Sequence, residues 1–354
     1  MKHLVTGGSG FLGNLIARRL LAKGETVKVL DIWKDPSLPA EIEYIDCDIR
    51  NRDGVRAAMR GIDIVHHNVA LVPLTKSGAK FWEVNVDGSR IAAECAVAAG
   101  VKAFIHMSSS AIYGVPDIFP IDEKTPYEPV EIYGRAKLAG EQQVREVCEK
   151  AGMPLIVIRP RTILGEGRLG IFQILFDWIH ENAPIFVIGD GQNKFQFVQA
   201  HDLMDAYMLA LDSQHPGAYN VGTDRFGTLE EALQHVIAHA GSTSRVRHLP
   251  VTPAIGILTL ADKLGVSPLA PWHYLTYHKP YYFDLAPLKA LGWKPRYSND
   301  EMFRESYDWF LANHLGKSDE TKDGAAGFKQ TEKRSAHRKR VPEGILWLAK
   351  KLFS

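Results

Sequence analysis

The chain is 354 residues long and almost electrically neutral, with 42 Lys and Arg against 41 Asp and Glu and a net charge of +1, so charge gives no reason to expect nucleic acid as a partner. Cys47, Cys95 and Cys148 lie without CxxC or Cys/His spacing and no HExxH is present, which reads as buried thiols in a reducing compartment and leaves no metal site. No run of about eighteen apolar residues is long enough to span a bilayer, and the first residues already form a strand with no room for a signal peptide, so a cytoplasmic enzyme of one large or two closely joined domains is expected.

Lys2 to Thr6 reads as a short buried strand, and Gly7-Gly8-Ser9-Gly10-Phe11-Leu12-Gly13 opens a helix running to about Lys23. Glycines at 7, 10 and 13 permit a tight turn, close approach to a pyrophosphate and close helix–strand packing. The backbone N–H groups of Ser9, Phe11 and Leu12 belong to the turn and helix start that would receive the phosphates. Thr26 to Leu30 forms the next strand and ends in Asp31, a carboxylate suited to the ribose hydroxyls of NAD and repulsive to the 2′-phosphate of NADP. Lys34 stands close enough to keep NADP open as an alternative.

Apolar runs at 42–45, 62–66 and 101–107 read as further strands, the first followed by Asp48-Ile49 and the last by Ser108-Ser109-Ser110. Strands alternating with helices of ten or so residues make an α/β fold with a doubly wound parallel sheet. Ligands bind at the carboxyl ends of such strands. Thr6, Asp31, Asp48, the stretch 68–71 with Val69 and Ala70, and the three serines all fall there. Tyr133 and Lys137 follow, four apart on one face of the next helix. An ammonium in that position favours a phenolate, and running such a base near neutrality asks for about 4 kcal/mol of electrostatic help.

The second half begins near Arg159-Pro160. A turn at 165–167, a helix at 171–179, a strand at 185–188, a segment running into a helix over 195–211 and a strand at 219–222 are expected in turn. Helices around 228–240 and 253–264 precede an aromatic stretch holding Trp272, Tyr274, Tyr277, Tyr281, Tyr282 and Phe283. These rings either wall an apolar pocket or pack as core. Leu291-Gly292-Trp293-Lys294-Pro295 leads to a last helix near 300–313.

TGGSGFLG, the Asp31 strand end, Asp48-Ile49, the helix beginning Asn85-Val86-Asp87-Gly88, SSSAIYG at 108–114 and YGRAK together resemble the extended short-chain dehydrogenase/reductase family, also called the NAD-dependent epimerase/dehydratase family, over residues 2–313. The resemblance implies a Rossmann-type domain at 1–158, with a core continuing into parts of 159–222, and a smaller substrate region at 159–315. It implies Tyr133 as acid/base, Lys137 as the residue that lowers the tyrosine pKa and bonds the nicotinamide ribose, and Ser109, four residues before Tyr113, as the hydroxyl orienting the substrate oxygen. Ser108 and Ser110 become neighbours satisfying backbone, and Asn85 either a polar anchor near the active site or an ordinary helix cap. A homodimer formed through helices near 85–99 and 131–150 is also implied.

Departures from the family bear on substrate. Its dehydratases carry Asp-Glu where this chain has Ser110-Ala111, and its nucleotide-sugar epimerases carry Asn and Arg where this chain has Thr162 and Phe195. Lys194 would point to the opposite face of an extended segment. RPRTILGEG and the segment from Phe186 resemble the 3β-hydroxysteroid and sterol-4-carboxylate 3-dehydrogenase branch. An NAD(P)-dependent oxidation of a secondary alcohol on an apolar, sterol-like small molecule is therefore expected, with nucleotide-sugar epimerisation as the alternative and a non-catalytic NAD-sensing protein as a third. Residues 316–340 read as a charged flexible linker, and 341–354 as an amphipathic helix suited to a membrane surface or to docking on protein.

Overall fold

The computed structural model describes residues 1–72, 78–267, 269–314, 346 and 350. In chain order the first elements are β1 (Lys2–Thr6), α1 (Phe11–Ala22), β2 (Thr26–Asp31), β3 (Glu43–Asp46), α2 (Arg52–Ala58) and β4 (Ile64–His67). Then come α3 (Lys80–Trp82), a π-helical turn (Glu83–Asp87), α4 (Gly88–Ala98), β5 (Ala103–Met107), a 3-10 turn (Ser110–Tyr113), α5 (Ile132–Ala151) and β6 (Leu155–Pro160). The second half adds β7 (Thr162–Leu164), α6 (Phe172–His180), β8 (Ile185–Ile188), β9 (Phe197–Gln199), α7 (Ala200–Ser213) and β10 (Gly217–Val221). It ends with α8 (Leu229–His239), β11 (Val246–Leu249), α9 (Val251–Lys263), α10 (Pro271–Thr276), α11 (Ala286–Ala290) and α12 (Asn299–His314).

Seven parallel strands form the main sheet in the order β10-β6-β5-β4-β1-β2-β3. Alternate residues of each strand feed two separate cores. Val5, Val29, Ile64, Ile105 and Ile156 enter one, while Leu4, Leu30, Val65, Phe104 and Val157 enter the other. With both faces covered, the strands read as continuous apolar runs, the expected pattern for a buried parallel sheet. Three strands are shorter or displaced relative to the apolar runs that mark them. Ile42 closes a turn onto Pro39, Ile62 closes one onto Met59, and Val101 bonds back to Ala96. All three are buried without joining the ladder.

The second half holds two small parallel pairs of its own, β7 with β9 and β8 with β11, and joins the main sheet through β10, which pairs with β6. Helix α9 starts two residues before its expected bound, with Pro253 in its first turn, where no donor is lost. Most of the aromatic stretch is core: Trp272, Tyr274, Tyr281 and Phe283 are buried, and Tyr277 and Tyr282 are half-buried. Trp293 donates from Nε1 to the Asp202 carbonyl at 3.3 Å, and the Asp202 carboxylate accepts from the Arg296 and Tyr297 amides. The segment from Trp293 to Tyr297, which leads into α12, is thereby tied to α7. The linker at 316–340 lies outside the described residues, as does the 341–354 tail apart from two positions. Of those two, Leu346 packs against the larger core and Lys350 pairs with Glu181 after α6.

Candidate active site

The nucleotide end of the site is built by the turn between β1 and α1. Gly7 has φ +71°, and a Cβ there would come within 2.8 Å of the Val69 amide nitrogen, so only glycine lets the 68–70 strand end lie this close. A Cβ on Gly13 would collide with the Gly7 carbonyl. Gly10 caps α1 without a side-chain hydrogen bond, leaving the amides of Phe11 and Leu12 for an anion. At the end of β2, Asp31 accepts from the Ser9 amide at 3.1 Å and the Ile32 amide at 2.8 Å. Burial pushes its carboxyl up to about 6, with the Ser9, Ile32 and Trp33 amides pulling the other way. Asp48 is half-exposed and paired with Arg50 at 2.7 Å, while Ile49 is buried against Gly88. Val69 and Ala70 are half-buried on the loop leaving β4. An uncapped helix start, a glycine cradle and a carboxylate at the neighbouring strand end fit a dinucleotide.

Asn85 holds that loop in place. Its Oδ1 accepts from the Leu71 amide at 2.8 Å and its Nδ2 donates to the Leu71 carbonyl at 3.0 Å. It sits inside the π-helical turn and is 2% exposed, so the anchor describes it and the helix cap does not. A π-turn fits one extra residue into a helix, and Asn85 is the buried residue of this one.

At the other end, α5 carries the acid/base candidates. Glu131 caps the helix, accepting from the Tyr133 and Gly134 amides at 2.7 Å each, so the position of Tyr133 is fixed by the first turn. Burial raises the Tyr133 phenol and the Glu131 charge adds to this, while the Ser109 hydroxyl and the Arg168 guanidinium draw it back down. Ser109 caps the 3-10 turn, its Oγ accepting from the Ala111 amide at 3.2 Å. Ser110 is the better-held neighbour, because its Oγ accepts from Arg161 at 3.1 Å and its carbonyl from the Tyr281 hydroxyl at 2.6 Å. Lys137 is buried and donates from Nζ to the Met107 carbonyl at 2.6 Å. Burial lowers its ammonium to about 8, against the opposing charge of Glu141. NAD bound at this site supplies the hydride acceptor and a cationic ring. The chain's own groups would move the alcohol proton to the Tyr133 oxygen, orient the substrate oxygen from Ser109 and hold the ribose side from Lys137.

Three further residues sit here that the sequence reading did not single out. Glu141 lies one turn beyond Lys137 and makes a buried pair with Arg159, whose Nε reaches Oε2 at 3.1 Å. Arg159 also donates to the hydroxyls of Tyr113 and Tyr127 at 2.7 and 2.9 Å. Burial alone would raise the Glu141 carboxyl, and Arg159 first, then the Ser108 hydroxyl and Arg145, hold it below its usual range. The i+4 spacing from Lys137 was the available signal. Arg168 closes a small hairpin against Gly165, and its guanidinium lies 5.4 Å from the Phe11 ring over the cofactor turn. No carboxylate pairs with it among the described residues.

A model described as the NAD dependent epimerase/dehydratase family matches residues 3–222. Protein y4nG of Sinorhizobium fredii, itself uncharacterized, is 44% identical over 317 residues, which span 89% of this chain and 80% of that protein. Mouse sterol-4-alpha-carboxylate 3-dehydrogenase, decarboxylating, is 26% identical over 343 residues, 89% of this chain and 92% of the relative. The crystal structure of Thermus thermophilus UDP-glucose 4-epimerase with NAD superposes at a TM-score of 0.71 with 27% identity, covering 88% of this chain and all of that one. Sequence, fold and the cofactor turn agree: the chain belongs to the NAD-dependent epimerase/dehydratase family of oxidoreductases, and its cofactor is NAD.

Proposed function

We propose that the chain interconverts a secondary alcohol and a ketone on an apolar, sterol-like substrate, with Tyr133 exchanging the hydroxyl proton, Ser109 orienting the oxygen and Lys137 beside the cofactor. The observation that carries the choice of substrate is Phe195. It stands where the family's nucleotide-sugar epimerases place an arginine, it is fully buried, and its ring lies 4.8 Å from Tyr277 and 5.0 Å from Phe197. A diphosphate placed as in those epimerases would lose its hydration without the arginine that replaces it there. Ser110 and Ala111, both buried, stand where the dehydratases carry their Asp-Glu pair, so water elimination lacks its acid and base. The likeness to the mouse sterol-4-alpha-carboxylate 3-dehydrogenase supports the same reading. Its test is NADH formation by the full chain with NAD and a 3β-hydroxysteroid, run beside thermal shifts with the steroid and with UDP-glucose. Reduction of NAD together with steroid stabilisation is expected.

Epimerisation of a nucleotide sugar is the second reading, favoured by the superposition on the Thermus epimerase over its whole length. Stabilisation by UDP-glucose alone, without NADH released into solution, would select it.

A further inference from the structure

Arg161 is 1% exposed, and its charge has no carboxylate partner among the described residues. Nε donates to the Gln196 carbonyl at 3.0 Å and Nη1 to Ser110 Oγ at 3.1 Å, while Nη2 is buried without a partner among the described residues. Aromatic faces take the place of a counter-ion, with the guanidinium carbon 3.9 Å from the Tyr281 ring, 4.8 Å from Phe195 and 5.9 Å from Phe283. A buried charge without a carboxylate carries a desolvation cost that an apolar side chain of the same length would avoid. What such a side chain could not do is grip two acceptors on separate parts of the chain.

Those two acceptors define the role. Ser110 directly follows Ser109 and begins the 3-10 turn that Ser109 caps. Gln196 lies just before β9, in the second half of the molecule. The Tyr281 hydroxyl reinforces the link from the same side by donating to the Ser110 carbonyl at 2.6 Å, and its ring stacks on Arg161. We propose that Arg161 is a positioning residue for Ser109: it fixes the serine turn against the substrate half, so that the Ser109 hydroxyl meets Tyr133. This rests on the reading of Ser109 and Tyr133 as the proton-handling pair.

The test uses the full chain saturated with NAD. Tyr133 is titrated by phenolate difference absorbance, each background being subtracted against its Tyr133→Phe counterpart. Arg161→Met is expected to melt at or above the wild-type temperature, keep NAD affinity, and hold roughly threefold less Tyr133 phenolate at a given pH, approaching the value for Ser109→Ala. Arg161→Lys, which can reach only one acceptor, should fall between Met and wild type. If Arg161→Met does not fold, Ser110→Ala removes the Nη1 acceptor and should shift the titration in the same direction by less. Wild-type titration in Arg161→Met or Ser110→Ala, with Ser109→Ala shifted, overturns the role of Arg161 and leaves the proposed reaction standing. An unshifted Ser109→Ala overturns both.

Discussion

Replacing His106 with leucine should make the protein more resistant to acid without weakening it near neutrality. His106 is 1% exposed, neither ring nitrogen has a partner among the described residues, and the ring stacks on His67 at 5.5 Å. His66 and His67 are as deeply buried. Burial first, then neighbouring charge, pushes all three below the usual histidine range. His67 falls to about 3, and Lys137, His67, Arg145 and Arg159 all oppose a charge on His106. The fold therefore keeps these rings neutral, while the unfolded chain protonates them near pH 6.5. Since the unfolded state binds more protons, stability is whole above that pH and falls as pH drops below it. At about pH 5 each neutral ring costs roughly 2 kcal/mol, and the three together about 6 kcal/mol, a large part of the 5–15 kcal/mol typical of a folded protein. Asp31 and Glu131, whose carboxyls are raised by burial, work in the opposite direction, so the difference between variant and wild type is the quantity to read. Urea unfolding at about pH 7.5 and about pH 5 should show His106→Leu equal to wild type or better at the first and about 2 kcal/mol better relative to it at the second. An unchanged pH slope would refute the claim that His106 is held neutral.

Tyr133→Phe should lower turnover by about a hundredfold to ten-thousandfold and leave NAD binding intact, as read by steady-state NADH formation and by titration of NAD. Asp31→Ala should weaken NAD by about tenfold to a hundredfold; in the wild type, affinity should also decline as pH falls through about 6 and the carboxylate is protonated, a decline absent from Asp31→Ala. Arg168→Gln removes a cation acting on the phenol and should move the Tyr133 titration upward, read by the same difference absorbance. Ending the chain at Leu315 should lower the melting temperature, because Leu346 packs on the core and Lys350 pairs with Glu181; co-sedimentation of the full chain with anionic liposomes, but not of the shortened one, would show the tail at a membrane surface.

What the sequence disclosed was what is local. The glycine turn, the Asp31 strand end and the Tyr133-Lys137 pair each declare themselves within about twenty residues, and the strand–helix alternation around them needs no tertiary knowledge. Arg161 was opaque because its partners Ser110 and Gln196 lie 51 and 35 residues away, and nothing in R-P-R distinguishes a buried guanidinium from a surface one. Arg168 likewise gains meaning only once its hairpin folds over Phe11. The two readings of Asn85 could not be separated from composition, since a π-turn has no sequence signature comparable to a cap box. The aromatic stretch shows the reverse limit: a pocket wall and a core need the same residue types, and only packing on Phe195, Phe283 and Arg161 assigns these rings to the core.

One edge strand of the nucleotide-binding sheet, β10, is spelled by residues 217–221, after β7, α6, β8, β9 and α7 of the substrate half have been made. On a ribosome the six strands preceding it emerge first, and β6, buried along its whole length in the finished molecule, then has one unpaired side. Vectorial synthesis thus leaves an apolar template open to stray pairing until that late segment arrives.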